Sequence, residues 1–203
     1  KIIIKIDIKN LSFYLTTLNP DIKYHNNDVK IKKVDAYINL KSLIIGKPNI
    51  DLINISSHEI EVSEIKNIIK FQKPSNFKKF FLNDVEKGKI SFKLDLNLVD
   101  NQVKDYEING IVKNFFAKVQ NIDLNKISFI YSVKKEIGEI NNIRGIINGF
   151  QINSGNIEFE NSKSLNINGN INSDLKMIKS DLDKFLKKKK LKSFSDLQLT
   201  GKI

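Results

Sequence analysis

Alternation with a period of two dominates the chain. Its clearest stretch is 89–98, where Ile90, Phe92, Leu94, Leu96 and Leu98 take one set of positions and Lys89, Ser91, Lys93, Asp95 and Asn97 the other. Successive side chains of a strand point to opposite faces, so this pattern predicts a strand with one apolar and one wet side. Ile2, Ile4, Ile6 and Ile8 alternate with Lys5 and Asp7, with Ile3 the exception, and Val29 and Ile31 alternate with Lys30 and Lys32. Within 50–55 the register Ile50, Leu52, Asn54 continues the theme, and Ile53 and Ile55 fall on the other one. Later strands are expected through Tyr106, Ile108 and Val112 into Phe115 and Phe116, through 122–133, and through 140–150. Others should carry Ile152, Ile157 and Phe159, then Leu165, Ile167 and Ile171, then Leu197, Leu199 and Ile203. Polar or glycine-containing breaks at 99–102, 136–138 and 154–156 read as turns.

Helical spacing replaces this alternation in three places. Ile65, Ile68 and Ile69 follow Ser63, placed to cap. Phe77, Phe80, Phe81 and Val85 repeat the spacing, with Pro74 and Ser75 opening a helix and Gly88 closing it. The third runs from about Ser180 to Lys192, with Asp181 and Asp183 in its first turn, Lys187 to Lys190 in its last, and Leu182, Phe185 and Leu186 as its apolar stripe. Gly110, Gly145, Gly169 and Gly201 each follow an aliphatic residue by two, at irregular intervals that exclude a strict solenoid repeat. Asn109-Gly110 could form a type I′ hairpin turn, but alternation resumes after each glycine, which favours positions inside long strands. The chain is expected to divide into 1–88, strand-rich with two short helices, and 89–203, an antiparallel sheet with a basic helix near 180–192, together forming one module.

Composition narrows the picture. The chain has 203 residues, 40% hydrophobic and 28% charged, with three prolines and no cysteine. That length buries a sizeable core, and the cysteine count excludes disulfide and cysteine–zinc frameworks. The chain starts at Lys1 and closes on a strand-like Leu199-Thr200-Gly201-Lys202-Ile203, which suggests a segment of a longer polypeptide. A net charge of +11 suits anionic partners, but Arg144 is the only arginine, and the joint excess of lysine, isoleucine and asparagine is explained by an AT-rich coding bias. The run Lys187 to Lys192 is basic enough for lipid headgroups or nucleic acid. No aromatic residue interleaves it, so a solvated helix end is favoured and no nucleic-acid partner is expected.

Catalytic chemistry has no foothold in these patterns. His25 and His58 lack a local partner, and Glu59, Glu61 and Glu64 lie at a strand-to-helix junction. No phosphate loop, nucleophile elbow or zinc-protease motif occurs, so no enzyme, cofactor or metal is expected. What stands out is the quantity of one-sided apolar strand. Closed, it is a dry sandwich or barrel; curled and open, it is a trough suited to acyl chains, each buried methylene contributing about 0.8 kcal/mol.

The stretch 29–71 resembles the AsmA-like proteins. It has a strand, the step Leu43-Ile44-Ile45-Gly46, a second strand through Ile50-Asp51-Leu52-Ile53, and a short helix. The glycine-punctuated strands of 90–171 look like that group as well. The resemblance implies a mainly β fold with a few short helices, its long antiparallel strands forming a curved open sheet (a β-groove or half-barrel). It implies the periplasmic portion of a protein anchored in the bacterial inner membrane by a helix outside this segment. Phospholipid would be conducted between inner and outer membranes, in the service of outer-membrane biogenesis and lipid homeostasis. The groove-lining candidates are Ile90, Phe92, Leu94, Leu96, Phe129 and Tyr131. The alternative is a structural or adhesive β-module with a closed core and no lipid ligand.

Overall fold

A computed structural model of the chain describes residues 1–7, 12–161, 165–173 and 199–200. The expected basic helix and the run Lys187 to Lys192 lie outside the described residues, as do Ile8 and Gly201. The first half holds β1 (Ile2–Asp7), β2 (Ser12–Leu18), β3 (Lys23–Tyr24), β4 (Asn27–Asp28), β5 (Ile31–Asn39), α1 (Leu40–Ile44), β6 (Ile50–Ser57), β7 (Ile60–Glu61), α2 (Val62–Ile69) and α3 (Asn76–Asn83). Then come β8 (Val85–Val99), β9 (Gln102–Val119), β10 (Ile122–Lys134), β11 (Ile137–Ile147), β12 (Phe150–Asn161), β13 (Leu165–Ser173) and β14 (Leu199–Thr200).

One curved sheet contains nearly all of this. Its order is β1-β2-β5-β6-β8-β9-β10-β11-β12-β13, antiparallel throughout, with β7 also on β8 and β14 added in parallel to β13. It is open, not closed into a barrel. Strands β8 to β12 follow one another through two-residue hairpins. Asp100 and Asn101 both take positive φ, 52° and 60°, as a type I′ turn requires. Asn148 and Gly149 do the same at 49° and 85°. A division at 88/89 falls inside β8, so both halves of the chain belong to the same sheet.

Several local expectations need correcting. The turn expected at 136–138 sits one step earlier, at Lys135 and Glu136, and Gly138 already belongs to β11. Ser154-Gly155-Asn156 is no break at all but the middle of β12. Ser63 does not cap α2; Glu61 is the N-cap, and its N–H donates to Glu64 Oε2 at 3.3 Å as half of a capping box. Ser75 does cap α3, accepting from the Lys78 N–H at 3.1 Å. Val85 and Gly88, however, lie in β8, because α3 ends at Asn83. Val29 precedes β5 and is not part of it.

The long strands share a crease that the alternation conceals. In β9 the core residues step from Val112 to Phe115, in β10 from Leu124 to Ile127, and in β11 from Ile140 to Ile143. Such odd steps would put the second residue of each pair on the opposite face of an ideal strand. A bulge intervenes each time: Asn114, Lys126 and Asn142 take positive φ of 48°, 52° and 57°, and the ladder registers shift beside them. One extra residue per strand restores the apolar set to its original face and bends the strand there. Gly88 in β8, at φ 151°, and the register shift between Ile152 and Ser154 in β12 extend the line.

Beyond this crease the helices close the core. Val62 and Ile69 of α2 and Phe81 of α3 pack with Val85, Phe115, Ala117, Ile127, Ile143 and Ile152, all at most 8% exposed. Lys66 Nζ of α2 donates to the carbonyl oxygens of Leu82 and Val85, tying α2 to the passage from α3 into β8.

Candidate functional site

Residues directly opposite in adjacent antiparallel strands share a face, so the registers trace the surface. One row reads Ile2, Thr17, Val34, Ile55, Leu94, Ile108, Val133, Gly138, Phe159, Ile167 and crosses the sheet from β1 to β13. A second reads Ile4, Leu15, Ala36, Ile53, Leu96, Tyr106. A third reads Phe92, Gly110, Tyr131, Ile140, Ile157, Gly169, and a fourth Ile90, Val112, Phe129. Thr17 is the one polar residue among them. Ile90, Phe92, Leu94, Leu96, Phe129 and Tyr131 therefore lie together on one apolar face, each half-buried.

In β6 the face is carried by Ile53 and Ile55. Leu52, on the register first expected to continue the apolar theme, stands opposite Tyr37 and Asn97 on the other side. The tie was unresolvable within 50–55, because both registers hold aliphatic residues; pairing with Leu94 and Leu96 decides it.

Glycines let the face lie smooth. A Cβ built on Gly138 would run into the Phe159 ring, and one on Gly110 into the Tyr131 ring and the Ser91 carbonyl, so each ring occupies the space beside its cross-strand glycine. Phe115, Phe129 and Tyr131 continue as edge-to-face pairs with centroids 6.5 Å apart at each step. Burial among these groups holds the Tyr131 phenol above its ordinary pKa.

The opposite face is polar. Thr16, Asp35, Asn54, Asp95 and Glu107 stand in one row across β2, β5, β6, β8 and β9. Thr16 Oγ1 donates to Asp35 Oδ1 at 2.5 Å, and Lys33 Nζ lies 2.6 Å from Asp35 Oδ2. A cavity of about 610 Å³ opens on this polar side between Glu107, Ser132, Lys134, Glu139 and Glu160. It is lined by charge of both signs together with Ile137, and it meets the apolar rows only at Gly138.

Cover is unequal along the apolar face. The helices bury its Val112 and Phe115 end. Leu94, Ile108 and Val133 lie outside that buried cluster and are half-buried, and at the β1 edge Ile2, Ile4 and Ile6 are 60–70% exposed.

Among the described residues the titratable side chains are taken up in local pairs. His25 stacks on Phe71 with centroids 4.4 Å apart, and His58 Nε2 meets Asn19 Oδ1 at 3.0 Å. Glu64 pairs with Lys30 at 2.6 Å, Glu61 with Lys89 at 3.5 Å, and Glu59 with Lys113 and Lys89. The Lys113 ammonium, bonded to Glu59, lowers that carboxyl's pKa. Among the described residues no group of His, Asp and Glu could hold a metal ion. No helix among them is long and apolar enough to cross a membrane.

No protein-family model matches the chain, and no curated protein or solved structure matches it.

Proposed function

We propose that the chain is an AsmA-like, non-enzymatic groove module that takes phospholipid acyl chains along the apolar face of its sheet, in the periplasmic part of a protein anchored in the bacterial inner membrane. The observation that supports this reading most is the in-register row from Ile2 to Ile167, apolar but for Thr17 and, at Leu94, Ile108 and Val133, half-buried outside the core cluster. A soluble protein rarely leaves such an apolar surface open unless something apolar occupies it. An acyl chain of ordinary length, with methylenes each worth about 0.8 kcal/mol on transfer from water, matches a surface that is long, featureless and without hydrogen-bonding demands.

The test is capture. A photo-reactive benzoylphenylalanine in place of Leu94 should crosslink phospholipid in cells, and the same group in place of Lys93, on the polar register, should not. Capture from position 93 alone, or lipid-free protein by native mass spectrometry with neither position reactive, would overturn the proposal and leave the structural or adhesive module with a dry core.

A further inference from the structure

We infer that the tip between β5 and β6 is a membrane-surface anchor, inserting Ile44 and Ile45 among the headgroups of an anionic bilayer. This reaches beyond the apolar sheet face and does not need lipid to be bound there.

The tip is a built structure whose aliphatic side chains point outward. Asn39 Oδ1 accepts from the Lys41 N–H at 3.0 Å, Ser42 Oγ donates to the Asn39 carbonyl at 2.6 Å, and the Asn49 N–H donates to Ser42 Oγ at 2.9 Å. At the other end of α1 the Gly46 N–H donates to the Leu43 carbonyl and the Lys47 N–H to the Ser42 carbonyl, with Gly46 at φ 71°. This is a Schellman closure, in which glycine alone adopts the left-handed turn without strain. A turn so fully bonded has no need to expose hydrophobic side chains, yet Ile44 is 84% exposed, Ile45 73% and Leu43 37%. Three adjacent aliphatic residues out of the core cost solubility in water and gain free energy at an interface.

Charge identifies the occupant. Lys41 and Lys47 flank the aliphatic residues, and 40–48 contains no acidic residue. Cations at the rim of an inserted apolar tip complement anionic headgroups. Position agrees. The Asn101 N–H donates to Asn49 Oδ1 at 3.1 Å and the Ile50 N–H to Asn101 Oδ1 at 2.9 Å, which locks the tip to the β8–β9 hairpin. That hairpin exposes Val99 and Val103, at 51% and 57%. The anchor thus lies at the end of the sheet away from α2 and α3.

The chain has no cysteine, so single labels are simple to place. The 203-residue chain carrying Ile44→Cys with an environment-sensitive fluorophore should shift to the blue on vesicles of phosphatidylglycerol and phosphatidylethanolamine. Shallow doxyl-labelled lipids should quench it. A label at Lys73→Cys, on the connection between α2 and α3, should do neither. In unlabelled protein, Ile44→Asp and Ile45→Asp should each weaken vesicle partitioning about tenfold. Lys41→Gln and Lys47→Gln should each weaken it about fivefold on anionic vesicles and leave weak binding to phosphatidylcholine unchanged. The inference fails if position 44 shows no vesicle-dependent change, or if positions 44 and 73 respond alike. A blue shift that grows with protein concentration without vesicles also overturns it and marks a second copy of the chain as the occupant. Lipid capture at position 94 without vesicle binding would sink the anchor and keep the groove; vesicle binding without capture would do the reverse.

Discussion

The two ends of one apolar face are built from the same residue types and meet different fates. Past the crease, Val85, Phe115 and Ile143 share one buried cluster with Val62, Ile69 and Phe81 of the helices and are nearly inaccessible. Before it, Leu94, Leu96, Ile108 and Val133 lie outside that cluster and are half-buried. Burial is therefore decided by what the chain places over a strand and not by the strand itself. One end supplies folding stability, and the other leaves apolar surface half-buried, the surface proposed above to take acyl chains.

The largest expected effect tests that asymmetry directly. Phe81→Ala empties the closed end and should cost about 3–5 kcal/mol in urea unfolding. Leu96→Ala removes a side chain that water already reaches, and should cost roughly 1 kcal/mol. Equal losses would mean that the uncovered end is packed as tightly as the core, and the comparison between the ends would be lost.

A smaller effect sharpens the account of the uncovered end. Gly138→Ala sets a methyl against the Phe159 ring and should cost about 1–3 kcal/mol as overpacking. The Phe159 ring supplies the three nearest obstacles at that site, so Gly138→Ala combined with Phe159→Ala should cost clearly less than the sum of the single changes. Gly110→Ala should not be rescued in the same way by Tyr131→Ala, since the Ser91 carbonyl, part of the backbone, also stands in the way. Strict additivity at 138 and 159 would show that the ring does not rest on the glycine.

These contrasts also explain what was legible in the sequence. The strand at 89–98 was readable because its alternation is unbroken, and the six candidate side chains follow from it and from the stretch 127–133. Gly110, Gly145 and Gly169 do sit within strands, as resumed alternation predicts. The crease was not readable. A bulge changes the parity of the apolar positions, and a change of parity looks like one strand ending and another starting; the false turn at 154–156 came instead from the turn-like composition of Ser154-Gly155-Asn156 inside β12. Asparagine at Asn114 and Asn142 hints at left-handed backbone, but Lys126 gives no such hint. α1, with five residues, is too short for a helical period, and the aliphatic run Leu43-Ile44-Ile45, singled out only as a step of the resemblance, lies on the surface. The row from Ile2 to Ile167 is a product of pairing, which depends on partners far apart in sequence. The resemblance to AsmA-like proteins remains a proposal resting on this patterning.

Next in size is the capping of the closed end. Ser75→Ala removes the acceptor for the Lys78 N–H and should cost about 1 kcal/mol. Because α3 carries Phe81 over the sheet, hydrogen exchange should quicken in α3 and around Val85 before it changes in the Leu94 to Ile108 region. Uniform acceleration would argue that the two ends open as one unit.

The smallest effect concerns the ion pairs where the chain leaves the sheet for the helices. Glu59 is bonded to Lys113, with Lys89 at 3.9 Å as a weaker second partner. The hydrogen bond and charge of Lys113 lower the Glu59 pKa, so folded protein releases that proton more readily than unfolded chain. The sign follows from linkage: the contribution is present above the carboxyl's unfolded pKa and is lost as pH falls through the lowered folded value. Solvent screens the pair, so its effect on unfolding should be slight and should shrink further in salt. The titration itself is the sharper readout. In Lys113→Gln the Glu59 carboxyl carbon, followed by NMR, should titrate closer to the ordinary carboxylate range, while Lys89→Gln should move it less. The reverse ranking would assign the junction to Lys89, on β8 beneath the helices. The present ranking assigns it to Lys113 of β9, one residue before the bulge at Asn114, and so fastens the start of the helical cover to the crease itself.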